Sequence, residues 1–107
     1  MNNPRIEEYC LTDYRSVIER FPSDECLGAI DNIETAKESV NQLLERHYGK
    51  DILQKYKYAI IAYDNESDTW RVSCSLISPI ERLYGRRIAR TPSAIVQSDG
   101  KVLAIWD

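Results

Sequence analysis

The chain carries one histidine, three cysteines and scattered acids, and these are the residue types able to do acid–base, nucleophilic or metal chemistry. His47 falls at the end of a helical run, where the helix dipole favours a cation. A general base needs a partner within hydrogen-bond reach, and its sequence neighbours Glu45 and Tyr48 do not provide a convincing one. A structural or capping role is expected for it. Cys10, Cys26 and Cys74 are odd in number and widely spaced, which fits neither a disulfide framework nor a zinc pattern. Buried, reduced thiols are expected, because free cysteine behaves as a small hydrophobe. No His/Cys/Asp cluster has metal-ligand spacing, and there is no nucleophile elbow, Gly-rich phosphate loop or paired-acid motif. Asp13, Asp51 and Glu81 are the acids that would line a cavity, but solvated acids are the plainer expectation. The sequence therefore predicts no catalytic residue, no metal and no cofactor. What remains is binding.

Binding chemistry is better supplied. Arg82, Arg86, Arg87 and Arg90 cluster around Gly85 and would engage an acidic group or phosphate, or stay solvated in a loop. Glu34, Glu38 and Glu45 are spaced to share one helix face, as the edge of a contact patch or as a plain exposed face. Tyr56, Tyr58 and Tyr63 are candidates for an interface, where tyrosine is enriched, with packing on a sheet as the equal alternative. The net charge of −3 is unevenly divided: residues 1–53 hold 11 acids and 6 bases, whereas residues 54–107 hold 6 acids and 8 bases. A general nucleic-acid binder would be basic overall, so direct nucleic-acid binding is not expected. An acidic first half suits a basic protein partner.

The elements that position these residues follow from periodicity. At 107 residues the chain is expected to form one domain, 1–107, with a genuine core. Ile6, Cys10, Tyr14, Val17, Ile18 and Phe21 have helical spacing, which predicts a helix ending at Phe21-Pro22. Residues 23–32 read as a connector whose Asp31 or Asn32 caps the next helix. Ile33, Ala36, Val40, Leu43, Leu44 and His47 line one face of a helix running to Tyr48, closed by Gly49. Beyond Gln54 the period changes to two. Lys57 to Tyr63 and Thr69 to Leu76 read as a hairpin joined by a polar turn, with Trp70, Val72, Cys74 and Leu76 facing inward. Ser93 to Gln97 and Val102 to Trp106 form a second hairpin through Asp99-Gly100. The expected fold is α+β: N-terminal helices packed on a curved, mostly antiparallel sheet. No apolar run reaches the ~20 residues that a membrane helix needs, and no signal peptide is recognised at Met1 to Glu8, so a cytoplasmic location is expected.

The order of Tyr48-Gly49-Lys50-Asp51-Ile52, then Tyr56 to Tyr58, then Trp70-Arg71-Val72, then Ser98-Asp99-Gly100-Lys101-Val102-Leu103 resembles the small bacterial immunity proteins with the fold of nuclear transport factor 2. The resemblance spans about Ala36 to Trp106. It departs from the family at Lys57 and Tyr58, where a proline is common, and at Gly85, where a Gly-Gly pair is common. It implies a cystatin-like cone and a protein that neutralises one cognate toxin domain, delivered by contact-dependent inhibition or a related system. An acidic inhibitor would suit a basic nuclease as that toxin. The same fold is similar to that of ketosteroid isomerases, so a small cone-fold enzyme or ligand carrier is the alternative. Residues matched to the family are structural, and no catalytic residue is carried over. The sequence does not specify an oligomeric state.

Overall fold

In a computed structural model describing residues 5–50, 56–76 and 92–106, one sheet of five strands carries a helix on one face. Along the chain come β1 (Arg5–Glu8), a 3-10 turn (Leu11–Tyr14), α1 (Arg15–Arg20) and α2 (Ile33–Tyr48). The strands β2 (Tyr56–Asp64), β3 (Thr69–Leu76), β4 (Ser93–Gln97) and β5 (Val102–Trp106) follow. None of the described helices is long and apolar enough to cross a membrane.

Helix α2 forms where expected, and its ends show why. The Asn32 side chain accepts the Thr35 N–H at 3.0 Å, and the Thr35 hydroxyl accepts the Asn32 N–H at 3.0 Å. This reciprocal cap satisfies donors that the first helical turn leaves open. Ala36, Val40, Leu43 and Leu44 form the buried stripe. Gly49 ends the helix at φ 94°, ψ 165°, a region essentially restricted to glycine, and its N–H reaches Glu45 O at 2.9 Å.

The strands lie in sequence order, β1-β2-β3-β4-β5. β1 runs parallel to β2, and the remaining pairs are antiparallel. The sheet is therefore mixed and open rather than closed on itself. Register shifts leave Ala59 of β2 unpaired with β3, between Tyr58 and Ile60, and Leu103 of β5 unpaired with β4, opposite Ile95 and Val96, and such bulges bend a strand and add twist. At Gly100 (φ 100°) a Cβ would stand 2.1 Å from Leu27 O, so the β4–β5 turn admits only glycine.

The N-terminal segment differs from the sequence expectation. The helical spacing from Ile6 to Phe21 yields a helix only at Arg15–Arg20. Residues 5–8 instead pair with β2, and Cys10 is extended at φ −118°, ψ 121°. The reason is tertiary: the Leu11 N–H donates to Asp64 Oδ2 at 2.9 Å rather than to a carbonyl of its own segment. Ile6 is consequently 55% exposed and not part of a buried stripe. The helix does stop at Phe21 before Pro22, as expected.

Each face of the sheet has its own character. Toward α2 the core is apolar: Leu43, Leu44 and Val40 meet Ile61, Val72 and Val96, all fully buried. The opposite face centres on Arg71, whose guanidinium lies 5.1 Å from the Tyr14 ring and 5.8 Å from the Tyr9 ring. Trp106 adds to this side, 6.4 Å from Tyr14. Residues 21–27 run along β5 and cover its outer edge, through Val102 N–H to Glu25 O at 2.9 Å and Leu27 N–H to Gly100 O at 2.7 Å.

Candidate binding site

Antiparallel pairing brings both hairpin turns to one end of the sheet, and the parallel β1 delivers Glu8 and Tyr9 to that same end. Asp64 organises it. Only 6% exposed, its carboxylate accepts the Leu11 N–H, the Glu66 N–H at 3.0 Å and the Ser67 hydroxyl at 2.7 Å. These donors, Leu11 first, hold the Asp64 carboxyl below the usual carboxylate range. Asp68 is held low in the same way, first by the Tyr63 hydroxyl and then by Ser98, whose hydroxyl donates at 2.7 Å. The Trp70 indole N–H donates to the same Ser98 oxygen at 3.3 Å, which ties the two hairpins together.

Beside this network lies a cleft of about 370 Å³ lined by Glu8, Tyr9, Cys10, Tyr63, Asp64 and Glu66. Tyr9 forms one wall. Its hydroxyl shares a 2.5 Å hydrogen bond with Thr69 Oγ1, and burial, above all, raises its phenol to about 12. Glu8 and Glu66 give the cleft two exposed carboxylates, which suit a cationic group. Asp64, ionised and with its oxygens already accepting, is built to position backbone rather than to take up a proton near neutrality.

The residues singled out by sequence fall in several places. Glu34 and Glu38 project from α2 as exposed acids, with Glu34 only 3.9 Å from Lys37 Nζ. Glu45 shares their helix but is half-buried. Tyr58 is not the exposed contact expected of it. Its ring packs on the core, its hydroxyl donates to Lys37 O at 3.0 Å, and burial pushes its phenol well up. The bulge beside it turns the ring under α2. Arg82, Arg86, Arg87 and Arg90 lie outside the described residues, as do Asp51, Glu81 and the side chain of Tyr56.

His47 finds a partner that sequence neighbours did not reveal. Its Nε2 lies 2.6 Å from Glu25 Oε1, and Arg46 holds the other Glu25 oxygen at 3.2 Å. The pairing fastens the end of α2 to residues 21–27, a structural role as expected. Of the thiols, Cys74 is buried, and burial raises it to about 12. Cys10 and Cys26 are exposed, contrary to expectation: Cys10 lies in extended backbone rather than in the expected helix, and Cys26 lies on the segment that runs along β5. Among the described residues, no group of three or more His, Cys, Asp or Glu could hold a metal.

Sequence reasoning missed Asp64 and the cleft. Asp64 read as an ordinary turn acid, although an Asp at the mouth of an Asn-Glu-Ser-Asp turn is a residue type that bonds its own backbone two residues on. Its bond to Leu11, 53 positions away, had no sequence signal. No family model, curated protein or solved structure matches the chain.

Proposed function

We propose that the chain is an immunity-type inhibitor, with the cone fold of nuclear transport factor 2, that binds and neutralises a cognate toxin domain. The observation that carries the reading is the use made of the residues matched to that family. Gly49 closes α2, Gly100 makes a turn no other residue fits, and Trp70 packs on the core and links the hairpins. These residues are scaffold, which leaves recognition to the surface. Glu34 and Glu38 on the exposed side of α2 supply an acidic patch suited to a basic partner, such as a nuclease domain. The space between α2 and the sheet, where a cone-fold enzyme would place substrate, is filled by Leu43, Leu44, Ile61, Val72 and Val96. That supports recognition by surface over recognition in an internal cavity.

The test is co-expression with the toxin domain encoded beside this chain, in cells otherwise killed by it. Survival, together with a stable complex after purification, is the expected result. Killing that continues at full expression of the folded chain contradicts the reading.

A further inference from the structure

The two edges of the sheet are not alike. β5 is covered by residues 21–27, whereas no described strand lies on the outer side of β1. The Tyr9 N–H donates to Tyr63 O at 3.3 Å, so by strand alternation Glu7 also directs its backbone toward β2. Ile6 and Glu8 then direct their N–H and C=O groups outward. An open strand edge of this kind is a template for another strand. It also presents an apolar side chain, the 55% exposed Ile6. Continuing past Glu8, the edge runs into the acidic cleft between Glu8, Asp64 and Glu66.

We propose that the outer edge of β1 takes up an extended, basic segment of a partner protein by strand addition, seating a Lys or Arg side chain in that cleft. Backbone bonds to Ile6 and Glu8 supply affinity, and the cleft supplies selection, as is usual when a strand is added to a sheet. Charge argues for this occupant. Glu8 and Glu66 contribute two exposed carboxylates to the cleft lining, while Asp64 is buried and spends its oxygens on Leu11, Glu66 and Ser67. A second copy of the chain is the competing occupant, and self-association through this edge is an outcome of the test. The inference rests on the protein-partner reading above and adds a second surface to the acidic face of α2.

The probe is a short synthetic peptide of alternating Lys and Val, with its Glu and Val counterpart as control. Binding is followed by fluorescence anisotropy and by the backbone amide shifts of Ile6 and Glu8. The Lys peptide is expected to bind and the Glu peptide to fail. Ile6→Pro removes an outward N–H and no bond to β2, so it should fold and lose the peptide. Glu8→Lys with Glu66→Lys should weaken binding about tenfold or more, while Glu19→Lys, at an exposed acid of α1, leaves it unchanged. Equal binding of both peptides, native affinity in the Glu8/Glu66 double variant, or a dimer abolished by Ile6→Pro would overturn the proposal. A chain that neutralises the toxin domain but ignores the Lys peptide contradicts the strand-addition site alone. A chain that takes the peptide and no toxin contradicts the immunity reading alone.

Discussion

At the scale of single residues, the same side-chain chemistry does different work according to what surrounds it. Asp64 and Glu66 sit two positions apart in one turn, yet one carboxylate is spent on backbone donors and the other faces solvent. Asp64→Asn should therefore lower the melting temperature clearly, while Glu66→Gln leaves it nearly unchanged. Scanning calorimetry on the two variants decides it, and equal shifts would refute the assigned role of Asp64. Tyr58 makes the complementary point. From sequence it was as good a contact residue as Tyr56. Its buried ring and its bond to Lys37 O make it a strut between β2 and α2. Neither role was legible, because each depends on a partner far along the chain.

At the scale of elements, legibility followed how local the determining interactions are. Helix α2 was readable because its cap, its stripe and its closing glycine all lie within the helix or beside it. β3 and β5 were readable to the residue from period-two alternation and an Asp-Gly turn. The segment from Ile6 to Phe21 was misread because its helical spacing competes with hydrogen bonds that β2 and Asp64 offer from outside. A six-residue helix such as α1 has little intrinsic stability with which to resist. Two glycines allow a graded test. Gly49→Ala meets open space and should cost about 1–3 kcal/mol for its backbone region alone. Gly100→Ala adds a collision with Leu27 backbone, so its loss in chemical denaturation should be the larger of the two. Within α2, Leu43→Ala should cost about 2–5 kcal/mol, from a fully buried position. A Gly100→Ala protein as stable as native would mean that the turn does not approach Leu27.

At the scale of the whole molecule, the titrating groups set a window of stability. Asp64 and Asp68 are lowered from 3.8 in the folded state, so their contribution is present above that value and is lost as pH falls through their folded values. Cys74 is raised from 9.0 to about 12 and Tyr9 from 10.0 to about 12, so theirs is present below pH 9 and is lost as pH rises toward 12. A melting temperature that is level across the interval between and falls on both sides is expected from a pH series, and Tyr9→Phe should soften the alkaline fall. The interior is filled on the α2 side by aliphatic side chains, and the proposed recognition is accordingly assigned to the periphery: the exposed acids of α2 and the β1 edge with its cleft.

The claim at the centre is that this chain acts by binding a protein. Isothermal titration calorimetry of the purified chain with the toxin domain encoded beside it tests that most directly. One-to-one binding of about nanomolar strength or tighter, weakened by added salt and by Glu34→Lys with Glu38→Lys, is the predicted result. No heat of binding between two folded proteins, at concentrations where the toxin is active, would contradict it.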